Sequence, residues 1–224
     1  ALNQFKNQIT DFIPVARYSD MLLNPGKNFT FNGQTYSYPN IKLVYWAGGN
    51  PFHHQMNLSK LRKATFKPDT IITNEIWWNS LARHADIIFP TTTTLERNDI
   101  GFRHWEQTVS PMHKAIDPIG NSRNDFDIFS LISEKLGIKE QFTENKNEEE
   151  WLKTLWDEAK ESARENNFYL PDFDQFWNGG FFEVLKPTHE QVLMEDFVKK
   201  PEQFPLSNRS KKIEIFSDEV DSFN

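Results

Sequence analysis

Ile41-Lys-Leu-Val-Tyr-Trp46 runs directly into Ala47-Gly48-Gly49-Asn50-Pro51, and the architecture of the chain follows from this segment. The first six residues are rich in β-branched and aromatic side chains, which predicts a buried strand, and the glycines predict a turn after it. Periodicity predicts two further strands, at 69–74 and 86–89, and two helices, at 57–66 and 77–84. Strands that alternate with helices in this way are typical of βαβ units on a parallel sheet. We therefore predict an α/β protein with a Rossmann-like parallel sheet flanked by helices.

The segments on either side of this core have different patterns. Residues 1–40 contain repeated Gly, Pro and Asn, which predicts an irregular N-terminal segment that packs on the rest, with a short hairpin around Asn32-Gly33. Residues 91–125 predict a long polar loop, and a helical C-terminal part follows it. That part is predicted to contain helices at 126–136 and 148–166, a turn at 173–177 and a strand at 212–216. We divide the chain into the segment 1–40 and one α/β domain, 41–224.

Composition excludes several functional classes. The chain has 25 Lys and Arg against 32 Asp and Glu, a net charge of −7, which argues against a protein that coats nucleic acid or an anionic membrane. It contains no Cys, so this stretch offers no thiolate nucleophile and no Cys-ligated iron–sulfur cluster. No apolar run reaches the length of about 18 residues that a transmembrane helix needs. Both ends read as cuts through a longer protein, of which this chain is expected to be an internal fragment.

Candidate binding residues collect where the predicted strands end, which is the edge at which open α/β sheets bind ligands. Gly48 and Gly49 would let the backbone approach a phosphate, and the helix after them would offer its N–H groups. Glu75 ends the second strand, where a carboxylate can accept hydrogen bonds from a ribose. Pro90 and Thr91 follow the third strand. A glycine turn that only joins a strand to a helix is the alternative, because the pattern is not G-x-G-x-x-G.

Three charged or ligating groups have both a structural and a functional interpretation. His53-His54 could bind a metal, but adjacent histidines point apart and no third ligand has suitable spacing, so no metal site is predicted. Asp125 precedes a helix, and the residue pattern alone favours an N-cap over a carboxylate that binds a guanine edge. Arg97 stands near Glu96 and Asp99, which favours a loop ion pair over a phosphate clamp.

Three further features are interpreted as structural. Core packing is favoured for Trp77-Trp78 over stacking on a ligand ring. Asp86 is expected to stabilise the start of the third strand. The solvated face of the first helix is expected to carry the basic residues Lys60, Arg62, Lys63 and Lys67.

Several blocks, in this order, resemble the bis-molybdopterin guanine dinucleotide oxidoreductases, in particular the branch of dimethyl sulfoxide, trimethylamine N-oxide and biotin sulfoxide reductases. The blocks are Trp46-Ala-Gly-Gly-Asn-Pro-Phe52 with His53-His-Gln55, Ala82-Arg-His-Ala-Asp-Ile-Ile-Phe-Pro90, Thr93-Thr-Leu-Glu-Arg-Asn-Asp-Ile100, Arg123-Asn-Asp-Phe-Asp-Ile-Phe129, Glu150-Trp151 and Lys212-Ile-Glu-Ile-Phe216. The resemblance implies that the chain is the second Rossmann-like domain of a larger enzyme and binds one of two pterin guanine dinucleotides.

The resemblance also implies roles for individual residues around this cofactor. Those nearest the diphosphate would be Gly48, Gly49, Asn50 and Pro51, with His54 and Gln55 beside them. Glu75 would bind the ribose, with Asn74 adjacent, while Pro90 and Thr91 would line the cofactor and Arg97 would supply positive charge. Asp125 would contact guanine, which reverses the preference for a simple cap. Gln55 stands where relatives show a third histidine, and 101–107 departs from the family pattern, so no substrate-contacting residue is assigned.

The activity that the resemblance implies is the reduction of S-oxides or N-oxides by oxygen-atom transfer at a bis-guanine dinucleotide molybdenum cofactor. The metal ligand and the catalytic residues would lie outside this stretch, so the fragment alone is expected to be inactive. Implied partners are the remaining domains, a small S- or N-oxide substrate, and an electron donor such as a c-type cytochrome or a reductase. Nucleic acid is not an expected partner, and the periplasm is preferred to the cytoplasm. The alternatives are a formate- or nitrate-type oxidoreductase domain and a non-catalytic scaffold with the same fold.

Overall fold

The computed structural model describes residues 12–31, 33–102, 107–184 and 192–221, and the chain divides into two compact units, Ala1–Val184 and Leu185–Asn224. The first unit contains, in order, α1 (Tyr18–Leu23), β1 (Asn28–Phe31), β2 (Gln34–Ser37), β3 (Leu43–Ala47), α2 (Pro51–His54), α3 (Leu58–Thr65), β4 (Thr70–Glu75), β5 (Ile87–Pro90), β6 (Asp99–Phe102), β7 (Thr108–Met112), α4 (Asp125–Lys135), α5 (Lys139–Thr143), α6 (Glu148–Glu165), α7 (Phe173–Gly179) and β8 (Phe182–Glu183). Single 3₁₀ turns lie at Val15–Arg17 and Ala82–His84. The second unit contains α8 (Glu195–Lys199) and α9 (Asp218–Asp221).

β3, β4 and β5 form a parallel sheet with β4 in the centre. The register pairs Ala47 with Asn74 and Glu75 with Pro90, so the three strands end at a common edge. α3 lies in the connection from β3 to β4, as a parallel pair requires. The structure confirms the α/β fold, the three predicted strands and the helix predicted at 57–66, with shifts of a residue or two at their ends.

The N-terminal segment is more ordered than its sequence predicts. α1 places Tyr18 and Leu22 on one face, where they are buried in a cluster with Leu61 and Ala64 of α3. The prediction of an irregular segment at 1–40 is therefore wrong for this part, while 1–11 lie outside the described residues. A helix of six residues has little stability of its own, and its formation depends on packing that no local pattern reveals.

The predicted hairpin is confirmed. β1 and β2 pair antiparallel, with Asn28 opposite Ser37. Gly33 follows β1 with φ of +72°, a value that glycine adopts without strain. Asn32, the other residue of the predicted turn, lies outside the described residues.

A three-stranded antiparallel sheet occupies part of the segment predicted as a long loop. β6, β7 and β8 pair antiparallel, with Thr108 opposite Glu183. A Cβ added at Gly101 in β6 would lie 2.8 Å from the Ser110 hydroxyl and 3.1 Å from the Met112 sulfur, so a larger residue there would require these side chains to shift. The prediction of a long loop at 91–125 is therefore wrong at β6 and β7, and residues 103–106 lie outside the described residues. The pairing of β7 with β8 joins residues far apart in sequence, which a local pattern cannot predict.

The helices predicted at 126–136 and 148–166 are confirmed as α4 and α6. α6 begins with a capping box, in which Asn147 and Glu150 each accept a hydrogen bond from the other's backbone N–H. Its apolar face buries Trp156, whose ring stacks on Phe176 of α7 with centroids 3.7 Å apart. The turn predicted at 173–177 forms the longer helix α7.

Two predicted elements are wrong. The helix predicted at 77–84 contains only the 3₁₀ turn Ala82–His84, because side chains of Glu75 and Asn79 accept hydrogen bonds from backbone N–H groups and hold this segment in turns. Residues 212–216, in the second unit, form no strand, since alternation alone does not supply a neighbouring strand to pair with. In the described ranges, no helix has the length and apolar character needed to cross a membrane.

Candidate binding site at the carboxyl edge of the parallel sheet

The glycine turn after β3 leaves open space beside the backbone. Gly48 has φ of +93° and Gly49 has φ of +74°, which L side chains rarely adopt. A Cβ added at either position would meet nothing within 4 Å. The glycines are therefore required by the conformation of the turn, and they leave its backbone accessible to a ligand.

Asn50 joins this turn to α2 and carries an unpaired donor. Its side-chain Oδ1 accepts a hydrogen bond from the Phe52 N–H at 3.0 Å, and Pro51 occupies the first helical position. Asn50 is only 7% exposed, and its Nδ2 is buried with no hydrogen-bond partner in the described part of the chain. A buried amide donor without a partner is costly, so this atom needs an acceptor from outside these residues. A phosphate oxygen has the matching chemistry.

Glu75 and the end of β5 meet at the same edge. The Glu75 Oε1 accepts hydrogen bonds from the N–H groups of Ile76 and Trp77 at 3.0 and 3.4 Å, which fixes the carboxylate at the strand end. Thr91 is buried, and its N–H donates to the Glu75 carbonyl at 3.2 Å. The second carboxylate oxygen of Glu75 takes part in neither bond and can accept from a diol.

Asp125 reaches this edge through the segment that precedes α4. The Arg123 N–H donates to the Pro90 carbonyl and the Thr92 N–H donates to the Arg123 carbonyl, both at 3.1 Å. These bonds extend the sheet beyond β5 and bring the first turn of α4 beside β4. The preference of the residue pattern for Asp125 as an N-cap is wrong, because Asn124 caps α4 by accepting from the Asp127 N–H at 2.7 Å.

Asn74 connects Asp125 to β3. Its Nδ2 donates to Asp125 Oδ1 at 2.7 Å, and its Oδ1 accepts from the Tyr45 hydroxyl at 2.8 Å. Burial raises the pKa of Tyr45, and the nearby Asp125 carboxylate raises it further, whereas the hydrogen bond to Asn74 lowers it. Three elements, β3, β4 and α4, therefore share one polar chain at this edge.

Arg97 shares a cleft with Asp125 but is paired locally. Its Nη2 lies 3.1 Å from Asp99 Oδ2, and its Nη1 donates to the Thr92 carbonyl at 3.1 Å. The predicted loop ion pair is thus confirmed. Arg97, Asp99, Asp125 and Glu148 line a cleft of about 280 Å³. Burial raises the pKa of the Glu148 carboxyl, and the negative charge of Asp127 raises it further.

Other candidates lie apart from these contacts or have different roles. Gln55 uses its Nε2 to donate to the Val15 carbonyl at 2.8 Å, so it holds the N-terminal segment. His54 is exposed, and the described residues contain no group of three or more ligating side chains that could hold a metal ion. Trp77 and Trp78 are 70% and 67% exposed, so the prediction of core packing is wrong.

The structural roles predicted for other polar residues are confirmed. Asp86 Oδ2 accepts from the Ile71 N–H at 2.8 Å at the start of β5. The basic residues on α3 are largely exposed, although Lys60 also forms an ion pair with Asp20.

Sequence reasoning missed Tyr45 and Glu96. Tyr45 looked like one aromatic residue in a buried strand, and nothing in the sequence indicated a polar partner. Glu96 is buried and accepts hydrogen bonds from Thr93 N–H and Oγ1, each at 2.7 Å, and from Ile119 N–H at 2.6 Å. These bonds lower the pKa of Glu96. The Thr-x-x-Glu spacing of Thr93 and Glu96 was a usable signal, because it is typical of a side chain that caps a turn.

The chain is similar to known proteins over most of its length. The family model described as molybdopterin oxidoreductase matches residues 8–135. A trimethylamine-N-oxide reductase from Haemophilus influenzae is 43% identical over 94% of this chain, and a biotin sulfoxide reductase from Cereibacter sphaeroides is 39% identical over 97% of it. The chain spans 26% and 29% of the lengths of these two relatives. The solved structure of acetylene hydratase from Pelobacter acetylenicus superposes with a TM-score of 0.55 at 15% identity, over 83% of this chain and 23% of that one, which shows similarity of fold alone.

Proposed function

Because the chain belongs to the molybdopterin oxidoreductase family, we propose that it forms a cofactor-binding domain, the second Rossmann-like domain, of a larger reductase of S-oxides or N-oxides. Trimethylamine-N-oxide, dimethyl sulfoxide and biotin sulfoxide reductases are among the similar proteins, each matched over nearly the whole of this chain. The observation that carries the proposal is the meeting of Gly48-Gly49, Glu75 and Asp125 at one edge of the sheet.

The family implies a molybdenum–molybdopterin cofactor; its guanine dinucleotide form is the further part of our proposal. The residues present fit such a group. The unpaired Nδ2 of Asn50 and the open backbone of Gly48 and Gly49 suit a diphosphate. The free oxygen of Glu75 suits a ribose, and the Asp125 carboxylate suits the N1–H and N2–H₂ donors of guanine. When bound, the group supplies the redox and oxygen-atom-transfer chemistry.

The remaining residues of the edge would support this binding. Asn74 would hold Asp125, Pro90 and Thr91 would line the cofactor at the end of β5, and Arg97 would add positive charge from the neighbouring cleft. Pro51 would start α2 beside the diphosphate, with His54 at the end of the helix and Gln55 directly after it. None of these side chains is proposed to ligate the metal or to transfer a proton, so the chain by itself would be inactive.

The partners are also proposals. Because the chain spans about a quarter of its relatives' length, we propose that the other domains complete the cofactor site. The substrate would be a small S- or N-oxide, reduced with electrons from a c-type cytochrome or a reductase in the periplasm.

The decisive experiment uses the complete protein, expressed in a host supplied with molybdate. Molybdenum and the GMP released by acid are quantified per chain. About one metal and two GMP would support the bis-guanine dinucleotide form, and metal without GMP would overturn that form. A folded protein with neither would favour a non-catalytic scaffold.

Asp125→Ala then tests the role of this residue. It removes hydrogen bonds from a carboxylate to guanine, each worth about 1.5–3 kcal/mol, so the variant should lose GMP on dilution and gel filtration. Asp127→Ala is the matched control, because Asp127 lies in the same first turn of α4 and is not hydrogen-bonded to Asn74. Equal retention of GMP by the two variants would contradict the proposed role.

A further inference from the structure

The hydrogen bonds that join Tyr45, Asn74 and Asp125 have a fixed donor-to-acceptor direction. An ionised carboxylate only accepts hydrogen bonds, so Asn74 must present its Nδ2 to Asp125. Its Oδ1 then faces the Tyr45 hydroxyl, which must donate. Asn74 is only 6% exposed, so solvent cannot easily replace either partner.

The ring of Tyr45 is held by aromatic packing from two elements. Its centroid lies 5.5 Å from that of Phe129 in α4 and 6.4 Å from that of Phe89 in β5. The packing of this half-buried ring therefore fixes the position of the hydroxyl beside Asn74, whether or not a ligand is bound. A rigid donor on one side of Asn74 leaves its amide little freedom to turn away from Asp125 on the other.

Asp125 itself is exposed and has acceptor capacity to spare. Asn74 takes one lone pair of Oδ1, and no donor in the described ranges bonds to Oδ2. A carboxylate can accept about four hydrogen bonds, so both oxygens can still accept from a second molecule. These hydrogen bonds thus restrain the exposed Asp125 carboxylate and leave it able to accept hydrogen bonds from a ligand.

We propose that Tyr45 is a positioning residue for nucleobase recognition, which acts through Asn74 to hold the Asp125 carboxylate in the orientation that accepts both the N1–H and the 2-amino group of a guanine. This inference rests on the proposed guanine-binding role of Asp125 and adds a specificity determinant on β3, outside the strand ends. A restrained carboxylate can discriminate between bases that differ by one donor, whereas a freely rotating one discriminates less well.

The test compares GDP with IDP, which lacks the 2-amino donor. Binding is measured by calorimetry on the complete protein, purified without guanine dinucleotide from a host that cannot attach it. The wild-type protein should prefer GDP by about tenfold or more, the effect of one hydrogen bond to a charged group. Tyr45→Phe keeps the ring packing and should reduce that preference by about threefold or more, mainly through weaker GDP binding.

A matched control and a second variant keep the inference open to refutation. Tyr36→Phe also removes a phenol hydroxyl that donates to a side chain, that of Gln34 at 2.8 Å on the β1–β2 hairpin, and should leave the preference unchanged. Asn74→Asp keeps an acceptor for Tyr45 but places a negative charge against Asp125, and should abolish the preference. If Tyr45→Phe does not fold, Asn74→Asp tests the link through Asn74 on which the positioning role depends, and a preference retained in this variant would overturn that role.

The outcomes separate the inference from the proposal on which it rests. If wild-type protein binds GDP and IDP equally, the guanine-binding role of Asp125 fails and the positioning role of Tyr45 fails with it. If the wild-type preference is present and Tyr45→Phe retains it fully, only the positioning role is overturned. A merely structural role would lower stability, or the affinity for both nucleotides equally, without changing their ratio.

Discussion

Replacing Gly49 by alanine separates the conformational demand on the glycine turn from its proposed binding role. Gly49 has φ of +74°, and a methyl group added there would meet open space, so the folding cost comes from the backbone and not from a clash. A left-handed conformation costs an L-residue about 1–2 kcal/mol. The loss of glycine's extra freedom in the unfolded chain returns about 0.4–1 kcal/mol. The net destabilisation should be roughly 1 kcal/mol, or about 2–4 °C in melting temperature for a chain of this size.

Gly137 provides a matched control, because it has φ of +73° and equally open surroundings at the end of α4. Gly137→Ala should cost the same stability by thermal unfolding. The two variants should differ in GMP retained per chain, since a methyl group on Gly49 occupies the space through which a phosphate would approach the backbone. A lost charge-assisted hydrogen bond weakens binding by about tenfold or more. Equal stability losses with equal GMP retention would refute the assignment of the turn to the diphosphate.

Two further predictions concern stability. Trp156→Ala removes a 1% exposed ring stacked on Phe176 and should lower the free energy of unfolding in urea by about 3–5 kcal/mol. Trp78→Ala, at an exposed position, should lower it by less than about 0.5 kcal/mol. Similar losses for the two variants would contradict the described core. Because the pKa of Glu96 is lowered in the folded state, its contribution to stability is present above the ordinary glutamate pKa and is lost as pH falls through the folded value. Glu96→Gln should therefore flatten the acid dependence of the unfolding midpoint, and an unchanged slope would argue against this origin.

The parts of the fold that sequence predicts well are those specified locally. The β-branched runs of β3 to β5 and the apolar face of α6 each lie within one segment, and their periodicity is sufficient. β7 and β8 could not be found in this way, because Thr108 pairs with Glu183, a residue far away in the sequence, and no local pattern marks such a partner. Residues 212–216 show the converse, since an alternating pattern without a partner forms no strand.

The residues of the candidate site also differ in whether local sequence or tertiary contacts determine their positions. Gly48, Gly49 and Glu75 could be assigned to one edge because the ends of parallel strands meet there. The position of Asp125 depends on the backbone hydrogen bonds of Arg123 to Pro90 and Thr92. It also depends on the capping of α4 by Asn124, one residue before the N-cap that the sequence pattern favours. The contact with Tyr45 depends on a strand register, so no spacing in the sequence reveals it.

The exposed indoles of Trp77 and Trp78 make the carboxyl edge of the parallel sheet observable by fluorescence. They follow Glu75 after one intervening residue, Ile76, whereas Trp156 is enclosed in a separate apolar cluster. Indole emission depends on the polarity of its surroundings, so the two environments emit differently, and a dissolved quencher reaches the first pair far more readily than Trp156. The chain contains seven tryptophans, so the signal of this pair is the difference between the wild-type protein and a variant that lacks Trp77 and Trp78. That difference reports occupancy of the edge in solution without an attached dye.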